Sequence, residues 1–227
     1  MKFILSDVNV GDGEQISRHI EVPAMRNGPL HQLMFPSHNI LSVEQKEEII
    51  RWYTNMLEDA FMDRWESFLK ATNIDGTPYG FCGWTVIEKN ETPKTTTRVK
   101  PEIQQGIQQK PQPNIKRNNW IPETIDAGAW VAVSQALRTE RNRVLQNLNN
   151  ICRITFMAVN PDYQRQGIGS RMMERMCEEI DRHRRHAYVL ASPEGVRLYS
   201  KFGFVVVGQV RTDKGIITSM LRQSRQS

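Results

Sequence analysis

The chain has little of what marks several protein classes. Only three cysteines occur among its 227 residues, Cys82, Cys152 and Cys177. Their odd number and wide separation argue against a disulfide framework and against the paired spacing of a zinc site. Thiols scattered through apolar stretches read instead as reduced core residues of a cytoplasmic protein. No apolar run approaches the roughly 20 residues needed to cross a bilayer. The opening residues Met1-Lys2-Phe3-Ile4-Leu5-Ser6-Asp7 turn polar too early for a secretory signal and read as a first strand. The turn Gly167-Ile168-Gly169 lacks the Gly-Lys-Ser/Thr ending of a nucleotide P-loop, and Met172 stands where a dinucleotide-binding turn would carry a third glycine. The nucleotide enzymes recede accordingly.

What is present suits one α/β domain with a sizeable core over residues 1–227, interrupted by one insertion. The formal net charge is +5. Its whole excess lies in residues 94–117, where Lys94, Arg98, Lys100, Lys110, Lys116 and Arg117 face Glu102 alone. That segment belongs to a longer stretch, 89–122, rich in Thr, Gln, Pro and Lys and nearly without aromatics. Such a stretch buries too little apolar surface to offset its ordering entropy, so it reads as a flexible basic insertion. Basic charge confined to one such segment, with no aromatic-bearing basic face, argues for a solubilising loop over a nucleic-acid partner.

Periodicity places the elements. Lys2–Val8 reads as a strand, Gly13–Ala24 as a helix, and His31–Phe35 as a short apolar turn before Pro36. Ser42 with Gln45 three residues on forms a capping box for a helix carrying Ile49, Ile50, Tyr53, Leu57 and Phe61 on one stripe. Trp65–Thr72 and Tyr79–Glu88 read as a hairpin with an Asp75-Gly76 turn, and Asp126–Leu148 as a helix. Strand Ile151–Val159, helix Gly167–His183, strand Ala187–Ala191 and helix Gly195–Lys201 follow, then strands near Phe204–Val210 and Ile216–Leu221. Trp52, Trp65, Trp84 and Trp130 read as core. His31, His38, His183 and His186 have no metal-like partners, so no metal is expected.

The chemistry concentrates where strand Ile151–Val159 runs through a turn into the helix at Gly167. Two glycines in a first turn cost about 1 kcal/mol each in helix propensity. Glycine also lets a ligand approach the backbone closely, and unpaired N–H groups at a helix N-terminus attract anions. A pyrophosphate would fill such a turn.

With the next strand and helix included, the sequence resembles the GNAT N-acetyltransferase superfamily over about residues 151–204. Gln164, Gly167 and Gly169 match that family's Gln/Arg-x-x-Gly-x-Gly/Ala motif, and Val159-x-Pro161 matches the approach to it. Tyr199, Gly203 and Phe204 match the second motif, in which Ser192 and Gly195 replace the usual Asn and Ala. The resemblance implies an α/β GNAT fold: a mixed, mostly antiparallel sheet with a splayed parallel pair of central strands, flanked by helices. It implies acetyl-coenzyme A as co-substrate, with backbone around Met157 and Val159 pairing with the pantetheine arm. Gln164, Arg165, Gln166, Gly167, Ile168, Gly169 and Ser170 would hold the pyrophosphate, with Arg171 as a further source of charge. Ser192 would stand near the arm, and Tyr199 would protonate the departing thiolate. The implied activity is acetyl transfer to a primary amine, of a small molecule or a peptide, by direct attack in a ternary complex. Two alternatives stand beside it: a protein lysine acetyltransferase whose basic segment docks on an acidic partner, and a non-catalytic coenzyme A-binding regulator. The first splayed strand, Ile151–Val159, contains no carboxylate to serve as base. Thr155 sits where an acid might be, and Glu88 and Glu194 read more simply as surface residues.

Overall fold

The computed structural model describes residues 2–63, 65–88 and 120–224. The expected insertion at 89–122 and its basic segment 94–117 lie almost wholly outside the described residues. Seven strands form one sheet in the order β1-β2-β3-β4-β5-β7-β6. They are β1 (Ile4–Asp7), β2 (Glu66–Thr72), β3 (Pro78–Ile87), β4 (Ile151–Val159), β5 (His186–Ala191), β6 (Val205–Thr212) and β7 (Gly215–Arg222). Every neighbouring pair is antiparallel except β4 and β5.

Helices cover both faces. On one lie α6 (Ile168–Arg182) and α7 (Pro193–Lys201). The spacing of Ile168, Met172, Met176 and Ile180 is the cause: each is at most 1% exposed, and all four belong to the cluster that includes Cys82, Cys152 and Ile154. On the other face lie α1 (Gly13–Ile16), α2 (Val22–Met25), α3 (Pro29–Met34), α4 (Val43–Phe61) and α5 (Ala127–Leu145). Ser42 caps α4 as its sequence implies: Gln45 N–H donates to Ser42 Oγ at 3.2 Å, and Ser42 N–H donates back to Gln45 Oε1 at 2.9 Å. Asp126 caps α5 by accepting from Ala129 N–H at 2.8 Å.

Several expectations change. The single helix over Gly13–Ala24 is broken between α1 and α2 by a π-helical turn, Ser17–Glu21, in which Val22 N–H reaches Ser17 C=O. The segment taken as an apolar turn is helix α3, because Pro29 occupies its first turn, where a missing N–H costs nothing. The hairpin closes through the five residues 73–77, with Asp75-Gly76 in its turn. Asn73 N–H donates to Thr77 C=O and Gly76 N–H donates to Asn73 C=O, with Gly76 at φ +85°. Trp65 is 56% exposed and is no core residue. The three cysteines are buried, as their apolar surroundings suggest.

Because Met176 is fully buried under the sheet, Met176→Ala is expected to cost about 2–5 kcal/mol. Urea unfolding measures it; a loss below about 0.5 kcal/mol, the range of ordinary surface substitutions, would contradict this packing.

Candidate active site

β4 pairs with β5 only at Ile151–His186, Cys152–Ala187 and Arg153–Tyr188. Beyond Arg153 the two strands have no further paired residues, while β4 stays paired with β3 to Val159 and β5 stays paired with β7 to Ala191. The departure has a local cause. On β3, Gly83 faces Phe156 and Trp84 faces Ile154, so Thr155 is an extra residue in β4. Such a bulge bends its strand and increases the twist. It also shifts the alternation of side chains. Cys152 and Ile154 face α6 before it and Met157 and Val159 after it, whereas Phe156 and Ala158 pack with the π-turn and α4. The peptide groups of β4 beyond Arg153 on the β5 side are thus left without a strand partner.

The chain then makes a tight turn at the end of β4. Asn160 caps a one-turn 3-10 helix, Pro161–Tyr163, by accepting from Asp162 N–H at 2.9 Å. Gln164 Nε2 donates to Val159 C=O at 3.1 Å, which fastens the turn to the strand end. Arg165 at φ +62° and Gly167 at φ +87° both adopt left-handed backbone. A Cβ at Gly167 would meet nothing within 4 Å, so glycine there serves its backbone angle and not a packing need. The first helical bond of α6 runs from Arg171 N–H to Gly167 C=O. The N–H groups of Ile168, Gly169 and Ser170 precede it and point out of the helix start. Gly167 is exposed, and Gly169 and Ser170 are half-buried. This concave, open run of peptide donors at a positive helix end suits a diphosphate. Gln166 and Arg171 are otherwise engaged: Gln166 Nε2 reaches Asp162 C=O at 3.5 Å, and Arg171 pairs with Glu174 at 3.0 Å.

Ser192 begins α7, and its Oγ accepts from Gly195 N–H at 3.3 Å. Tyr199 is 5% exposed, with its ring 5.6 Å from that of Phe204. It shares a cluster with Cys82 of β3, Val189 and Ala191 of β5, and Ile168 and Met172 of α6. The structure therefore gathers the predicted residues of β4, the turn, α6 and α7 around the parting of β4 from β5. Burial, with Cys82 close by, pushes the Tyr199 phenol above its ordinary range and keeps it protonated. Glu194 is exposed and Glu88 is tied to Arg185 at 3.5 Å, so both carboxylates remain in solvent.

One group escaped the sequence reading. Glu21, in the π-turn, is 4% exposed, and its Oε2 is buried without a hydrogen-bond partner. Burial pushes its carboxyl up to about 8. The signal was there: Ile16, Ile20 and Ala24 mark a buried stripe, and Ser17 and Glu21 are polar residues beside it. Close enough to feel the Glu21 charge is Tyr53 of α4, whose hydroxyl lies 3.2 Å from His31 Nδ1. Desolvation holds His31 down at about 4, so this neighbour is a neutral imidazole. Among the described residues no three His, Cys, Asp or Glu side chains are grouped to hold a metal ion, and no helix is long and apolar enough to cross a membrane.

The mixed sheet, opened at its parallel pair, has the fold of the solved acetyltransferases that follow. Residues 133–222, from within α5 to the end of β7, match the family model of the acetyltransferase (GNAT) domain. A histone acetyltransferase HPA2 and related acetyltransferase from Corynebacterium glutamicum is similar in structure, at TM-score 0.61 and 13% identity over 100% of this chain and 99% of that one. Arylalkylamine N-acetyltransferase 2 from Aedes aegypti is similar at TM-score 0.59 and 12% identity, over 98% and 99%. The PaiA N-acetyltransferase from Thermoplasma acidophilum, solved in complex with coenzyme A, is similar at TM-score 0.51 and 14% identity, over 98% and 99%. At such identities the likeness establishes the fold. No curated protein sequence matches the chain.

The buried Glu21 carboxyl makes a stability prediction. Its folded pKa of about 8 lies above the ordinary 4.5. Between those values the folded state holds a proton that the unfolded state has released, so stability falls as pH rises. Relative to wild type, Glu21→Gln is expected to gain stability from pH 5 to pH 8. Urea unfolding at both values reads it, and parallel pH profiles would contradict the burial.

Proposed function

We propose that the protein is an acetyl-coenzyme A-dependent N-acetyltransferase that acetylates a primary amine by direct attack in a ternary complex. The observation that carries this reading is the loss of β4–β5 pairing beyond Arg153, directly before the turn at Arg165–Ser170. An extended amide-bearing arm can add to the free edge of β4 as a partial strand, near Met157 and Val159. A diphosphate at the end of that arm then meets the N–H groups of Arg165 through Ser170. Gln164 holds this turn in register with the strand by its bond to Val159 C=O. Ser192 keeps its own O–H free to donate toward the arm while its oxygen caps α7.

The co-substrate supplies the acetyl thioester. The chain's part is to hold thioester and amine in line, to keep water out and to manage two protons. Tyr199 donates its phenolic proton to the sulfur as the carbon–sulfur bond breaks. Its burial among Phe204, Cys82 and β5 fixes the ring and maintains the protonated form at neutral pH. The similar arylalkylamine and PaiA N-acetyltransferases support an amine acceptor, and the PaiA complex supports coenzyme A as the carrier.

Tyr199→Phe is expected to lower turnover about 10²–10⁴-fold, the usual range for a positioned acid. Its coenzyme A affinity should stay within about 2-fold of wild type, roughly 0.4 kcal/mol. Thiol release with an amine panel and titration calorimetry make the two measurements. Unchanged turnover across pH 6–9 would remove the acid role.

A further inference from the structure

Two backbone irregularities lie against each other in this fold, and both leave buried polar atoms unanswered. One is the π-turn Ser17–Glu21, the other the bulge at Thr155. Among the described residues, five buried side-chain polar atoms lack a hydrogen-bond partner. Two belong to the π-turn (Ser17 Oγ and Glu21 Oε2) and two to β4 (Arg153 Nε and Thr155 Oγ1). Such groups cost on the order of 1–3 kcal/mol each when left unsatisfied, so a buried carboxylate oxygen and a hydroxyl one turn apart in the π-turn point to a ligand that answers them. The π-turn packs on β3 and β4 through Ile16, Ile20, Phe81 and Ala158. Asn160 Nδ2 donates to His19 C=O at 2.6 Å, which ties the turn to the end of β4 where that strand has left β5. π-turns within α-helices are frequent at functional sites.

We propose that the Glu21 carboxylate, with Ser17 one turn away on the same helix face, receives the ammonium group of the acceptor beside the parted strands and takes its proton. The proposal rests on the acetyl-transfer reading above and supplies the base that β4 lacks. Glu21, protonated in the empty protein at pH 7, sheds that proton to solvent as the ammonium arrives, then accepts one from the ammonium and leaves a neutral amine. The nitrogen–carbon bond forms as the carbon–sulfur bond breaks. Tyr199 gives its proton to sulfur, and the second proton leaving nitrogen restores the phenol. Glu21 ends the cycle protonated, as it began. Burial favours this direction, since in a desolvated pocket neutral acid and neutral amine are cheaper than the ion pair. The titratable and charged neighbours agree. Tyr53 of α4 is close enough to feel the Glu21 charge, and His31 beside it is neutral at pH 7. On the same helix Arg18 is held at the surface by two carboxylates, at 3.0 Å from Glu14 and 2.7 Å from Glu47. Glu58 of α4 lies alongside Gly13. Phe81, Phe156 and Ala158 from the sheet carry no charge. Among the described residues no cation therefore already serves as the counter-ion of Glu21.

The test uses the full chain, acetyl-coenzyme A and two arms of acceptor, free alkyl- and arylalkylamines and a lysine-containing peptide. Glu21→Gln is expected to lower kcat/KM at pH 7 by about 100-fold or more for whichever arm is accepted. The deficit should shrink as pH rises toward the amine's own pKa, where free base no longer needs Glu21. Coenzyme A affinity should be unchanged. A second measurement uses wild type alone: amine binding to the coenzyme A-loaded protein, titrated at pH 7 in two buffers of different ionisation heat, should release close to one proton per amine. Turnover by Glu21→Gln within about 3-fold of wild type with the same pH profile, or amine binding without proton release, overturns the proposal and leaves acetyl transfer standing. Absence of product from wild type with every acceptor overturns both.

Discussion

The constraint on which the structure turns is the unequal pairing of β4. That strand keeps its β3 partner over its whole length and keeps β5 for only three residue pairs. A β-strand with one open edge inside a sheet is costly unless another polar chain satisfies its peptide groups. Here the opening is held by the scaffold. Thr155 bulges against Gly83 and Trp84, and β5 is fully occupied by β7 on its far side. The α6 stripe from Ile168 to Ile180 packs beneath. The cleft is thus built into the packing of a rigid core, and the helix start at Gly167 is delivered to its rim by the strand that forms one wall.

Two titratable groups on opposite faces of this sheet are moved upward by burial, and the same shift has different uses. Tyr199 becomes harder to ionise and remains a donor at neutral pH. Glu21 is shifted far enough, to about 8, that its proton exchanges near physiological pH. In the reaction proposed above, a phenol that keeps its proton and a carboxyl that can take one form the pairing that acid–base catalysis of amide formation needs. Neither group owes its state to a strong ion pair. Desolvation is the first cause in both cases, so the apolar clusters around Phe204 and around Ile16–Ile20 are as much part of the chemistry as the polar atoms themselves.

The second half of the chain was legible in the sequence because its elements are locally determined. Ile151–Val159 is a strand with those bounds, and the α6 stripe and the Gly167 turn fall where their periodicity and glycines place them. The mixed, mostly antiparallel sheet with a single parallel pair also agrees with the expected fold. The N-terminal half was less legible for physical reasons. A π-turn adds one residue to a helix, and although Pro23 in the first turn of α2 marks its end, the apolar periodicity running across it made Gly13–Ala24 look continuous. The bulge at Thr155 is visible only through its partner strand, because the apolar run Phe156-Met157-Ala158-Val159 hides the change of phase. Glu21 was missed on both counts. Its burial depends on the π-turn's rotation, and its company in α4 and β4 is remote in sequence.

The central claim is that the open edge of β4 and the N–H groups after it are built to be filled. Amide hydrogen exchange with and without acetyl-coenzyme A addresses this directly. Slowed exchange confined to Ile154–Val159 and Arg165–Ser170 on adding the co-substrate is the expected result. Exchange in both segments that does not change at saturating co-substrate, in a protein that is otherwise folded, would contradict the account.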